Sequence, residues 1–230
     1  ALRLLRKVIK KAEPDNLVFL GDFWDTYSIS RFAKTIFYAG GIEEELRIGW
    51  KELKKIVNNF PGNWYFCEGN HEVRIGLYLA EHPELGLPEN FDMKKGISFF
   101  GGEWIPYREH LEINTNLIIS HDFGRAGLNA ASQALNDLPQ HSSVFGHTHR
   151  ASVVYKTGLD GSTQASMMTG CLIDLANPFL RYASGARQAR DTMLGCGIIH
   201  SKGKLFKMDF LPFIKSGTGF TTCVDGVWVK

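Results

Sequence analysis

The sequence predicts a layered α/β fold. Three observations carry that expectation. Over the first two-thirds of the chain, short apolar runs alternate with segments of helical periodicity, the pattern of a layered sheet. Polar residues cluster directly after the apolar runs, at the strand ends where open α/β sheets place their sites. From Ala151 onward the segments read as strands split by Gly-rich turns, which predicts antiparallel strands belonging to the same core.

The elements follow in order. Residues 2–13 predict an amphipathic, basic helix, because Leu2, Leu5, Val8, Ile9 and Ala12 recur at helical spacing. Asn16–Leu20 is a short apolar run ending at Gly21, which suits a buried strand. Residues 42–59 predict the second helix, with Ile42, Leu46, Trp50, Leu53 and Val57 on one stripe. Pro61 and Gly62 stop it. Asn63–Cys67 is the next strand, Glu72–Ala80 a short helix, and Pro83 to Pro88 a loop. Leu117–Ser120 and Ser143–Phe145 predict strands, with a helix over Gly127–Leu135 between them. Val153–Lys156, Ala165–Thr169, Gly195–Ser201 and Lys204–Phe210 predict the later strands, with a hairpin turn over Ser201–Lys204.

Composition bounds the function classes. The chain has 230 residues, 44% of them hydrophobic and 22% charged, which is ordinary for a globular protein. That length supports a full core without disulfide staples. We expect a single domain over residues 1–230, with 211–230 as a C-terminal extension to which no structure is assigned. No apolar run approaches the ~20 residues of a membrane helix, so no membrane partner is expected. The net charge of +2 leaves a nucleic-acid partner open without advertising one. Cys67, Cys171, Cys196 and Cys223 are scattered and form no CxxC pair, so a zinc-ribbon reading fails. A reduced, cytoplasmic chain is the expectation. The N-terminus lacks the unbroken apolar stretch of a signal peptide.

Four predicted strands end in chemically suggestive clusters: Gly21-Asp-Phe-Trp-Asp25, Glu68-Gly-Asn-His-Glu72, Ser120-His-Asp122 and Gly146-His-Thr-His-Arg150. Each has an ordinary reading alone. Gly-Asp makes turns, Asn70 could cap the next helix, and Ser-His-Asp is common. His147 and His149, if on a strand, would face one side. Jointly, four coincidences at four strand ends are too many for the ordinary reading. Carboxylate oxygen, amide oxygen and imidazole suit Mn, Fe or Zn. Two such ions ~3.5–4 Å apart clamp phosphoryl oxygens and activate water.

GDFWD, GNHE, SHD and GHTH, in that order, resemble the calcineurin-like metallophosphoesterases over residues 1 to about 210. The resemblance implies a four-layer α/β/β/α sandwich of two mixed sheets. It implies two divalent metal ions (Mn, Fe, Zn or Ni, with Mn favoured). Asp22 would bridge them, Asn70, His121 and His147 would complete the second metal's shell, and His149 would bind the first. His71 would be the general acid. Glu72 or Asp25 would orient its imidazole or its loop. Tyr27–Ser30 and Arg31 are similar to phage and prophage members, which would place the chain in a host cytoplasm.

One departure bears on the metals. The family opens with Asp-x-His on a strand upstream of the first helix, and those residues ligate the first metal. No Asp-x-His occurs in this sequence. The first-metal site is therefore expected to be incomplete. An N-terminally truncated fold is the favoured account, and a natural variant with a damaged site is the other.

Arg74, Arg125 and Arg150 each lie within four residues of an expected ligand and are candidate substrate contacts, because guanidinium forks suit phosphate oxygens. Residues 183–190, small and basic, are expected to be an exposed linker. Trp24, Trp50, Trp64 and Trp104 are expected in the core, although Trp24, inside the Asp22–Asp25 loop, could wall the site. A Ser120-His121-Asp122 hydrolase fails, because adjacent strand residues cannot converge and no G-x-S-x-G elbow exists. The expected activity is metal-dependent hydrolysis of phosphate esters, by a phosphatase, a phosphodiesterase or a nuclease. Its substrate would be a phosphate ester, with nucleotides and nucleic acids among the candidates. The alternative is a non-catalytic binding scaffold on the same fold. Oligomeric state stays open.

Overall fold

The computed structural model describes residues 1–31, 40–86, 88, 91–114, 116–173, 191–203 and 205–230. The expected linker 183–190 and Lys204 of the expected hairpin turn lie outside the described residues. The chain divides into two compact units, one of Ala1–Glu13 with His110–Lys230, the other Pro14–Glu109. The elements run α1 (Leu2–Ala12), β1 (Asn16–Phe19), α2 (Ile42–Val57), β2 (Asn63–Cys67), α3 (Asn70–Glu81), α4 (Met93–Phe99) and β3 (Glu103–Ile105). Then come β4 (Leu111–Asn114), β5 (Leu117–Ser120), α5 (Ala130–Asp137), β6 (Ser142–Phe145), β7 (Ala151–Thr157) and β8 (Thr163–Thr169). The last are β9 (Gly195–Lys202), β10 (Leu205–Pro212), β11 (Ile214–Ser216), β12 (Gly219–Val224) and β13 (Val227–Val229). The protein is mixed α/β with several sheets, as the sequence predicts.

In the Pro14–Glu109 unit, β1, β2 and β3 form a parallel sheet in that order. Their apolar side chains meet an aromatic core. Phe66 stacks on Trp104 at 5.4 Å and on Phe19 at 6.0 Å. The predicted stripe of α2 supplies Leu46, Leu53 and Val57 to the buried set. Acidic Glu43–Glu45 open that helix and Lys54–Lys55 close it, which complements its dipole. Helix α3 begins two residues earlier than predicted. Gly69, not Asn70, is its N-cap, because the Glu72 carboxylate turns back to accept the Gly69 N–H, one half of a capping box.

Trp24 does not wall a cleft. It is 1% exposed, packs on Trp50 at 4.8 Å and on Phe66 at 5.7 Å, and points its indole N–H at the Leu46 carbonyl. An indole of that area gains more by burial than at a wet rim, provided its N–H finds an acceptor.

In the other unit, a five-stranded sheet runs β4-β5-β6-β8-β7. β5, β6 and β8 are parallel, while β4 and β7 run antiparallel at the edges. Of the Gly-rich C-terminal segments, β7 and β8 join this sheet, whereas β9 and β10 pair antiparallel as a two-stranded sheet of their own and β11-β12-β13 form a third. All four residues of β5 and of β6 are buried. The serines of β6 are satisfied across the sheet: Ser142 Oγ accepts the Ala165 N–H, and Ser143 Oγ lies 2.8 Å from Ser166 Oγ. Helix α5 packs Ala130, Ala131 and Ala134 against Phe145 and Met168. Residues 211–230, unassigned from sequence, complete β10 and form β11–β13, and α1 lies on β12 and β13. Among the described residues, no helix is long and apolar enough to cross a membrane.

Candidate active site

The Pro14–Glu109 unit carries the first two clusters. The chain leaves β1 through Gly21, in the left-handed region at φ 79°. A Cβ there would lie 2.5 Å from Gly69 N, so glycine is required where the two strand-end loops touch. Asp22 follows, also left-handed at φ 52°. Strain of this kind in a non-glycine residue persists only where surroundings enforce it. Here the enforcement is visible. Glu72, 2% exposed, accepts from Asp22 N and Gly69 N through Oε2, each at 2.9 Å. Its Oε1 accepts from Phe23 N at 2.8 Å and Trp24 N at 3.2 Å. Burial, and then the Asp22 charge, push the Glu72 carboxyl up to about 7, against the downward pull of these backbone donors.

His71 sits over that loop. Its main-chain N–H donates to Asp22 Oδ1 at 3.0 Å. Its Nδ1 lies 3.2 Å from Asp25 Oδ1, and its Nε2 lies 3.9 Å from Asp22 Oδ2. Burial lowers its pKa, but the Asp25 carboxylate beside Nδ1 and the Asp22 charge outweigh burial and Arg74, and the net shift is upward. The two acidic candidates have separate tasks: Asp25 faces the His71 ring, whereas Glu72 holds the Asp22 loop. Asn70 is the first residue of α3, half-buried beside His71.

The other unit carries the remaining clusters. His121, directly after β5, is 1% exposed. Its Nε2 stands 3.2 Å from Nδ1 of His147, which follows β6. The Gly146 N–H donates to the His121 carbonyl at 3.0 Å and so ties the two strand ends. His147 and His149 are not strand residues, which corrects the alternation argument. Both lie between β6 and β7 in left-handed conformations, at φ 56° and 57°. Contacts around them hold that turn: Met193 N donates to the His149 carbonyl, Gly170 N to the Arg150 carbonyl, and the Thr148 hydroxyl to Met168 Sδ. Asp122 caps its own turn by accepting from Gly124 N.

The three candidate arginines each engage a neighbour. Arg74 donates to the Asp25 carbonyl at 2.8 Å. Arg125 pairs with Asp137 on an exposed surface. Arg150 pairs with Asp191 at 3.0 Å. Two residues without a motif also belong to the loop after β1. Thr26 and Glu45 meet where the Thr26 N–H donates to Glu45 Oε1. Glu45 carried no sequence signal beyond being one of three first-turn acids.

The donor chemistry fits a divalent cation. In each unit, oxygen and imidazole donors stand immediately after strands, and two ring nitrogens 3.2 Å apart can share a proton or turn their lone pairs on one ion. The family model for calcineurin-like phosphoesterase matches residues 1–151. The chain belongs to that family. Membership supports a metal-binding hydrolase acting on phosphate esters. No curated protein matches the chain.

Proposed function

We propose that the chain hydrolyses phosphate esters at a dinuclear metal centre. The observation that supports this most is the order of donors after the strands: Asp22, Asn70, His121, His147 and His149. His121 and His147 bring two imidazole nitrogens within 3.2 Å of each other, a pair suited to a divalent ion, and Asp22 is the carboxylate that the family likeness would add to them. Asp22 would bridge two ions, Asn70, His121 and His147 would complete one shell, and His149 would contribute to the other. The second of these shells lacks an Asp-x-His pair within this sequence. Mn suits the mixed oxygen and imidazole set, and Fe, Zn and Ni are the other candidates. Bound ions of this type polarise phosphoryl oxygen and lower the pKa of water.

The chain's own residues supply the rest. His71 donates a proton to the leaving oxygen. Asp25, at Nδ1, keeps the proton on that nitrogen and favours the imidazolium. Glu72 keeps Asp22 at a fixed place by holding the backbone of its loop. The substrate is a phosphate monoester or diester, with nucleotides and nucleic acid included, and the setting is a cytoplasm, of a phage host if the Tyr27–Arg31 likeness is meaningful.

The test is a panel of bis-p-nitrophenyl phosphate, p-nitrophenyl phosphate and single- and double-stranded DNA, each with Mn, Ni and Zn. Metal-dependent turnover of at least one is expected. Metal binding without turnover of any substrate would favour the non-catalytic scaffold. Neither binding nor turnover would end the metal reading.

A further inference from the structure

Glu45 differs from its two acidic neighbours in the first turn of α2. Glu43 and Glu44 are exposed, and Glu44 pairs with Arg47. Glu45 turns inward. Its carboxylate accepts the N–H of Thr26 at 2.5 Å. Its Oε2 is buried with no hydrogen-bond partner. Burying such a group costs free energy unless it is hydrogen-bonded, and this oxygen is not. A helix-dipole role alone would leave it in solvent.

Its contacts lead to His71. Thr26 is fully buried and left-handed at φ 50°. Its hydroxyl lies 2.8 Å from the carbonyl oxygens of both Asp25 and His71. The loop after β1 is thereby held by two carboxylates on two helices. Glu72 on α3 takes the N–H groups of Asp22, Phe23 and Trp24, and Glu45 on α2 takes that of Thr26. Four backbone donors of the loop end on two side chains, one carboxylate at each end.

We propose that Glu45 is a positioning residue for the Asp25–His71 pair, fixing residues 25–26 so that the Asp25 carboxylate meets His71 Nδ1. The proposal rests on the reading of His71 as general acid. Because Glu72 anchors the Asp22 end independently, loss of Glu45 should disturb the acid and spare the metal.

The experiment compares Glu45→Met, Glu45→Gln, Thr26→Val and His71→Ala in the full chain, loaded with Mn for metal content and turnover and with diamagnetic Zn for spectroscopy. Three quantities are read: bound Mn, turnover of p-nitrophenyl and alkyl phosphate esters, and the His71 ring tautomer from its nitrogen chemical shifts in the Zn form at pH 8.5. Glu45→Met removes both acceptors. It should keep its Mn, lose ~10-fold or more turnover on alkyl esters with a smaller loss on p-nitrophenyl esters, and shift the ring away from the Nδ1–H form. Glu45→Gln keeps one acceptor and should restore both properties. Should Glu45→Met not fold, Thr26→Val keeps the N–H that Glu45 accepts but removes the hydroxyl that joins residues 25–26 to the His71 carbonyl, the next contact in the same chain, and should also shift the tautomer. An unchanged tautomer in these variants, or equal damage by Gln and Met, overturns the proposal. If His71→Ala shows no dependence on leaving group, the acid assignment fails instead, and the tautomer shift then decides Glu45's positioning role by itself.

Discussion

Glu72 Oε2 accepts the backbone N–H of Asp22 at 2.9 Å, across 50 positions of sequence. This bond sets the place of the expected bridging ligand. It makes the last residue of the GNHE cluster a structural partner of the first cluster rather than a group aimed at substrate. Three further backbone donors end on the same carboxylate.

Replacing Glu72 with Leu leaves those donors buried without an acceptor. Each unsatisfied group costs ~1–3 kcal/mol, partly relieved by rearrangement of the loop. We expect a loss of about 3 kcal/mol or more in urea denaturation, and weaker metal binding through Asp22. A variant as stable as the parent would show that the loop holds itself.

Gly69→Ala tests the same junction from the other side. A Cβ there would lie 2.2 Å from Asp22 Oδ1 and 2.4 Å from Asp22 N. Overpacking of this kind costs ~1–3 kcal/mol. The expected outcome is a lower melting temperature together with reduced metal content after dialysis. Gly76→Ala, on the same helix with nothing within 4 Å, is the control and should be neutral or stabilising.

His147→Ala and His71→Ala should separate ligand from acid. The first removes a metal donor, so metal content and activity should fall together for every substrate. The second should keep its metal and lose ~10²–10⁴-fold turnover, least for a p-nitrophenyl ester, whose leaving group needs little protonation. Elemental analysis of the parent after dialysis should show nearer one firmly held ion than two.

Stability should respond to pH through Glu45. Burial raises its carboxyl pKa above the ordinary value of 4.5, so the folded state binds the proton more tightly than the unfolded one. Its contribution is fully present below the unfolded value and is lost as pH rises through the folded value. Glu45→Gln does not titrate. The stability of that variant relative to the parent should therefore increase as pH is raised through this window. A constant difference across it would mean that the carboxyl titrates as it does in the unfolded chain.

Burial pushes the thiols of Cys67 and Cys196 up to about 12, from 9.0. The thiolate is the nucleophile, so their native reactivity at pH 8 should be ~10³-fold below that of an ordinary cysteine, before steric protection is counted. Iodoacetamide labelling followed by peptide mapping should leave both unmodified until the chain is denatured.

The sequence by itself determined the elements whose burial pattern is local. The stripe of α2, the fully buried β5 and the strand at Asn63–Cys67 are legible because the local run or period of apolar side chains reports what is buried. It also determined the four clusters, since a strand ending in Gly-Asp or Gly-His can be read without knowing its neighbours. Short or irregular elements were not legible. β3 has three residues, α4 has seven, and β11–β13 carry no run long enough to show a period. The left-handed backbone of His147 and His149 was hidden for a different reason: contacts from Met168, Gly170 and Met193, distant in sequence, hold that turn. Tertiary structure alone decided that Trp24 is core and that Glu72 and Glu45 share the loop after β1. A hydrogen bond spanning 19 or 50 positions leaves no trace in local periodicity, because its energy depends on the fold bringing donor and acceptor together.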